Sequence, residues 1–136
     1  MPDKPSEREI WFAQVRSRLA NAINGFYLKP IQDSSLILRD GGASVDRPSG
    51  QPDDQTVKGQ TTKFYVVFGY ESGQDYRVDF IISHNNLWDA VLDIIPSVGE
   101  AKPTMILKTD EAVATGIEDM KRFYFNLVQR LKNRQA

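Results

Sequence analysis

Residues 61–82 constrain the fold of this chain more than any other segment, because they predict a β-hairpin. Residues 61–70 are dense in aromatic and β-branched side chains, which are typical of strands. A polar turn follows at 71–75, and residues 76–82 then alternate apolar and polar side chains with the period of two of a half-buried strand. The first strand is apolar on both faces, which favours a central position in a sheet.

An amphipathic helix is predicted near the start of the sequence. Ser6 and Glu9 have the spacing of a capping box, in which each side chain satisfies a backbone donor of the first helical turn. Residues 24–25, Asn-Gly, are typical of a helix end because they tolerate the left-handed conformation that stops a helix. Between these limits, apolar residues recur at three- and four-residue intervals, which indicates one buried face.

A longer amphipathic helix is predicted at the C-terminal end, from Thr109 or Asp110 to about residue 133. Its apolar stripe comprises Val113, Ile117, Met120, Tyr124, Leu127 and Leu131. Acidic residues precede basic ones along this segment, the order that the helix dipole favours. Gly116 weakens the helix by about 1 kcal/mol relative to alanine unless a neighbour packs closely there.

The remaining segments predict short elements. Residues 26–28 and 35–38 predict a loose hairpin, and residues 104–107 predict one more strand. Residues 83–86 are typical of a helix N-terminus, so the apolar positions that follow, up to Pro96, predict a short helix. The predicted fold class is therefore α+β: an antiparallel sheet of four to five strands packed by N- and C-terminal amphipathic helices, with a short third helix.

The length of 136 residues predicts one domain with one core. Residues 40–60 are rich in Gly, Pro, Ser, Asp and Gln, so they gain too little burial to offset the entropy of ordering. We therefore expect a flexible loop at 40–60 and flexibility at 1–5. A loop of this length inside a domain is uncommon and is either functional or disordered.

Charge and composition exclude several classes of function. Seventeen basic and eighteen acidic residues leave a net charge of -1, which disfavours general nucleic-acid binding. The absence of cysteine removes disulfides, thiolate nucleophiles and zinc-thiolate sites, so we expect no metal and no cofactor. No stretch has the continuous apolar length that spans a bilayer, and we predict a cytoplasmic protein without membrane contact.

Three residues around the hairpin suggest a small-ligand or active site. His84 is the only histidine, and it could act as a general base. Arg77 and Asp79 share one face of the predicted strand and could clamp an anion and orient the base. The structural alternatives are a capping role for His84 and a solvated charge pair for Arg77 and Asp79.

The favoured hypothesis is a non-enzymatic protein-binding or regulatory domain, with a small enzyme or ligand-binding protein as the alternative. The chain contains seven Phe, five Tyr and two Trp, more aromatics than its few catalytic candidates could use, and aromatic residues anchor protein interfaces. Tyr65, Trp88 and Tyr124 are the aromatic candidates for binding. The C-terminal helix is apolar over a wide arc, which predicts burial in its own core, a homodimer through this helix or contact with a different protein partner.

Overall fold

The computed structural model describes residues 6–32, 36–46, 61–70 and 73–133. The predicted α+β class is confirmed: helices at both ends of the chain enclose a five-stranded sheet. The elements are α1 (Glu7–Phe26), α2 (Lys29–Gln32), β1 (Ile37–Asp46), β2 (Thr61–Gly69), β3 (Asp75–His84), β4 (Ala90–Pro96), β5 (Lys102–Leu107) and α3 (Asp110–Asn133).

The sheet is an antiparallel meander in which each strand pairs with the next along the chain, in the order β1-β2-β3-β4-β5. The predicted hairpin forms β2 and β3, with Phe64 opposite Phe80 and Val66 opposite Val78. The strand that is apolar on both faces, β2, lies inside the sheet between β1 and β3, as its composition indicates.

Both long helices contribute to one core on a single face of the sheet. The even-numbered residues from 62 to 68 on β2 and from 76 to 82 on β3 point to this face and are buried, whereas the odd-numbered residues between them are more accessible. The buried side chains of α1 are Phe12, Val15, Leu19, Ile23 and Phe26. The buried residues of α3 are Val113, Gly116, Met120, Tyr124, Leu127, Val128 and Leu131.

The N-terminal helix begins as predicted but ends later. The Ser6 hydroxyl accepts a hydrogen bond from the backbone N–H of Glu9 at 3.1 Å, which confirms the cap. The helix continues through Gly25 to Phe26, so the strand predicted at residues 26–28 does not form. Phe26 lies three residues after Ile23 and completes the buried stripe, and this burial outweighs the local stop signal.

The segment predicted as a short third helix is strand β4, so that prediction is wrong. Residues 90, 92, 94 and 96 are buried and alternate with more accessible residues, the period of a strand. A short apolar run has no unique period, and pairing with β3 on one side and β5 on the other selects the extended form. The only short helix among the described residues, α2, lies elsewhere, at Lys29–Gln32.

Strand β1 extends into the segment predicted to be a flexible loop. Residues 40–46 pair with β2, with Gly42 opposite Tyr65 and Asp46 opposite Thr61. Backbone pairing to an interior strand thus orders a stretch whose composition predicted a loop. Residues 1–5 and 47–60 lie outside the described part of the chain. Within the described part, no helix has the length and apolar character needed to cross a membrane.

Candidate functional site

One face of the sheet points away from both long helices, and we call it the open face. Its side chains belong to the odd-numbered residues of β2 and β3 and to their register partners on β4 and β5. The open face includes Lys63, Tyr65, Arg77, Asp79, Ile81, Val91, Asp93, Ile95 and Ile106.

Three of the predicted site residues meet on the open face. Tyr65 lies opposite Asp79 in the β2–β3 pair, and the Arg77 guanidinium carbon lies 4.6 Å from the centroid of the Tyr65 ring. Arg77 Nε donates to Asp79 Oδ1 at 3.0 Å. The prediction that Arg77 and Asp79 share a face is confirmed. Each charge is neutralised by the other, and the guanidinium covers the ring.

The same face exposes aliphatic side chains on β4 and β5. Ile95 is 44% exposed and Ile106 is 53% exposed. Ile81 and Val91, on the neighbouring strand positions, are half-buried. Sequence reasoning missed these residues because it assigned Ile95 to a helix. Residues 90–96 form a nearly continuous apolar run, so their sequence contains no alternation that could have found them.

His84 and Trp88 come together at the other side of the sheet. The two rings stack with centroids 3.9 Å apart and planes 17° apart, and the edge of His84 contacts Phe12 of α1 at a centroid distance of 5.1 Å. His84 Nδ1 donates to the carbonyl of Asn85 at 2.9 Å. In strand β3, position 84 faces the helices, whereas positions 77 and 79 face away from them, so the three residues do not converge on one pocket.

The turn between β3 and β4 is built around Asn85. The Asn85 side-chain oxygen accepts from the backbone N–H groups of Leu87 and Asp89, each at 3.0 Å. Trp88 adopts a φ of 62°, in the left-handed region that bulky residues rarely occupy. The polar residues that resembled a helix cap therefore cap a tight turn between strands, and this turn presents Trp88 to His84.

Asp89 is the one buried acidic residue in the described part of the chain, and sequence reasoning missed it. Its carboxylate accepts from Arg8 at 2.9 Å and from the Asn85 amide nitrogen at 3.1 Å. The Arg8 guanidinium also lies 4.0 Å from the ring centroid of Trp11 and donates to the carbonyl of Lys108 at 3.3 Å. These contacts connect the first turn of α1 to the β3–β4 turn and to the connection between β5 and α3.

We expect Asp89→Ala to lower the free energy of unfolding by about 1–2 kcal/mol, because it leaves the donors of Arg8 and Asn85 without their acceptor. The expected loss is no larger because the Arg8 side chain is 42% exposed, so its donors can form hydrogen bonds with water. Urea denaturation followed by tryptophan fluorescence measures the change.

Asp110→Ala is the matched control. Asp110 Oδ1 also accepts from α1, from the Trp11 indole at 2.8 Å, but its side chain is 71% exposed. We expect this variant to lower the free energy of unfolding by less than about 1 kcal/mol. If the two variants lowered the free energy of unfolding equally, burial of Asp89 would add nothing to the stabilisation that its contacts give.

Tyr124 lies in the interior and not on a surface. Its ring contacts Phe26 and Phe80, with centroids 5.6 and 5.4 Å away, and its hydroxyl donates to the carbonyl of Tyr27 at 2.6 Å. The large apolar side chains that are more than a third exposed in the described residues lie outside α3. The helix thus uses its wide apolar arc mainly in its own core, and a dimer through this helix stays a prediction.

Two pockets lie at the helix side of the molecule. One, of about 160 Å³, is lined by Ile23, Asn24, Tyr27, Gly42, Phe64 and Phe80. The other, of about 300 Å³, is lined by Lys29, Pro30, Phe125, Val128, Gln129 and Lys132. Neither contains His84, Arg77 or Asp79. The described residues also hold no group of three or more histidine or carboxylate side chains arranged to bind a metal ion.

The open face is therefore the candidate site on which three predicted residues and the exposed aliphatic side chains coincide. Compared with protein-family models, with curated proteins and with solved structures, the chain matches none.

Proposed function

We propose that this chain is a non-enzymatic protein-binding domain whose binding surface is the open face of the sheet. The observation that carries the proposal is the exposure of Ile95 and Ile106 on a face that neither long helix covers. Transfer of apolar surface from water stabilises a complex by about 25 cal/mol per Å². Binding of a partner that covers these side chains is thus favourable, because they stay exposed to water in the isolated chain.

The residue composition of the open face is also typical of a protein interface. Its β4–β5 side carries the exposed Ile95 and Ile106 together with Asp93, and its β2–β3 side carries Tyr65 beneath the Arg77 guanidinium. Tyrosine and arginine are enriched in the residues that dominate binding energy, and a rigid aromatic ring loses little entropy on binding. Because Arg77 is already paired with Asp79 at 3.0 Å, burial of the cluster does not leave a lone charge.

The alternative of a small enzyme lacks a comparable observation. Its three candidate residues are divided between the two faces of the sheet, with His84 stacked on Trp88 on the helix side. A general base and its orienting carboxylate need hydrogen-bond contact, directly or through one water. We therefore infer binding through the open face, and not acid–base chemistry, as the function of this surface.

The test compares two sets of variants in a capture experiment from lysate of the source cells. Ile95→Thr with Ile106→Thr keeps the β-branched shape that favours strands but makes the open face polar. The matched control is Ile10→Thr on α1, because Ile10 is 49% exposed, close to the value for Ile95, and lies outside the sheet.

For any protein that the unmodified chain captures, we expect the double variant to capture at least about tenfold less. The control should retain the same amount as the unmodified chain. The proposal would be overturned if the double variant captured as much protein as the unmodified chain. It would also be overturned if the Ile10 variant lost capture to the same extent as the double variant. Circular dichroism of each variant checks that the fold is intact.

A further inference from the structure

The open face carries opposite charges in a symmetric arrangement. In the sheet register, Lys63 on β2 lies opposite Ile81 on β3, and Ile81 lies opposite Asp93 on β4. Directly opposed residues of antiparallel strands share one face, so these three side chains form a row across the open face. The row has a basic group at one end, an acidic group at the other and an aliphatic side chain between them.

We propose that the open face binds a second copy of this chain, face to face, about a twofold axis that runs along β3. This inference rests on the proposed function and names the partner. A twofold interface is isologous: if one residue contacts a second, the partner's second residue contacts the first. An axis over Ile81 exchanges β2 with β4, so each Lys63 lies opposite the partner's Asp93, and two identical ion pairs form.

The neighbouring row is compatible with the same axis. Tyr65 lies opposite Asp79, and Asp79 lies opposite Ile95. The twofold axis therefore places Tyr65, with the Arg77 guanidinium over its ring, against the partner's Ile95, so the exposed isoleucine is buried against this pair of side chains. Asp79 and Arg77 lie on the axis near their own copies, but Arg77 Nε donates to Asp79 Oδ1 at 3.0 Å, so the two copies meet as neutral pairs.

The two charged groups of the first row are available for such contacts. Neither Lys63 nor Asp93 forms an ion pair within 4.0 Å among the described residues. Asp93 Oδ1 accepts from the Thr104 hydroxyl, which fixes its orientation and leaves its second oxygen for a cation. Lys63 and Asp93 are both half-buried, so they stand among aliphatic neighbours and not in bulk water.

The area of the open face sets the expected affinity. The four strands of the open face, β2 to β5, lie about 4.8 Å apart and are six to ten residues long, which gives a face of roughly 500–600 Å². Two such faces bury roughly 1,000–1,200 Å² in total, the low end of specific interfaces. We therefore expect a reversible dimer that dissociates in the micromolar range, with its specificity set by the charge pairs.

The experiment uses two charge-reversed variants of the full chain, Lys63→Glu and Asp93→Lys. Each variant alone places like charges opposite each other twice in a homodimer. An equimolar mixture of the two restores both attractive pairs in the heterodimer. There the two substituted side chains, now of opposite charge, face each other, and the unchanged Asp93 of one variant faces the unchanged Lys63 of the other. Sedimentation equilibrium from about 1 to about 500 µM covers the expected range of dissociation constants.

We expect each variant alone to dimerise at least about tenfold more weakly than the unmodified chain, and the mixture to recover its affinity. Rescue by mixing also shows that both variants fold. The control pair, Lys121→Glu and Glu118→Lys on α3, should leave dimerisation unchanged, because α3 lies on the other face of the sheet.

Two results would overturn the inference: an unmodified chain that stays monomeric at every concentration, or a dimer that the reversals leave unaffected. A monomer whose capture of another protein still depends on Ile95 and Ile106 would refute only this inference. The proposed function would then hold, with a different protein on the open face.

Discussion

We expect Tyr124→Ala to lower the free energy of unfolding by about 3–5 kcal/mol, the range for removing a large aromatic side chain from a core. Tyr124 is fully buried and lies between Phe26 and Phe80, so it joins α1, α3 and β3 in one contact. Neither helix can move inward to fill the cavity without breaking its contacts with the sheet. Urea denaturation at pH 7, followed by the fluorescence of Trp11 and Trp88, measures the loss.

Tyr124→Phe separates the ring from the hydroxyl. It keeps the ring contacts and removes only the hydrogen bond to the Tyr27 carbonyl, so we expect a loss of about 1–2 kcal/mol at pH 7. An alanine variant no less stable than the phenylalanine variant would contradict the role given to the ring.

The same variant also changes the dependence of stability on alkaline pH. Burial, and then the nearby Tyr27, raise the pKa of Tyr124 far above its usual value of 10. The folded protein keeps this proton, whereas the unfolded chain loses it as the pH rises through 10. The contribution of Tyr124 to stability is therefore constant below pH 10 and falls by about 1.4 kcal/mol per pH unit above it. The phenylalanine variant lacks this loss, so the two stability curves should converge above pH 10.

The order of most elements could be predicted because their side-chain periods are unambiguous. The hairpin at 61–82 and the helix at 110–133 each keep one period over many residues, and both formed as predicted. The segment 90–96 is short, and its apolar residues suit a helix or a strand equally. Only its neighbours, β3 and β5, decide between the two, and pairing across the sheet is a tertiary contact that a local pattern does not contain.

The candidate site was harder to predict than the fold, for a geometric reason. Alternation along β3 was enough to place Arg77 and Asp79 on one face. It could not show that His84, at an even position, lies on the opposite face beside Trp88, because the alternating pattern ends at Ile82, two residues before the strand does. Lys63 and Asp93 gave no signal at all, since their relation depends on the register of three strands.

Gly116→Val is expected to lower the free energy of unfolding by about 2–3 kcal/mol. A Cβ atom at Gly116 would lie 2.8 Å from Leu107 Cδ2, closer than side-chain carbon atoms approach each other. Leu107 is 4% exposed and forms part of the core, so it has little room to move away from the two added γ carbons of valine. This close contact excludes larger side chains from this position in the middle of α3, where glycine lowers helix propensity.

The matched control for this variant is Ala114→Val, because residue 114 is exposed on the same helix. It introduces the same β-branched side chain without the contact, and we expect a loss of about 0.5 kcal/mol. Gly116→Ala should fall near zero, because the gain of about 1 kcal/mol in helix propensity offsets a small shift of Leu107. Combining Gly116→Val with Leu107→Ala should cost less than the sum of the two single changes, since each relieves the other. Additive costs in this cycle would show that the glycine is not required by Leu107.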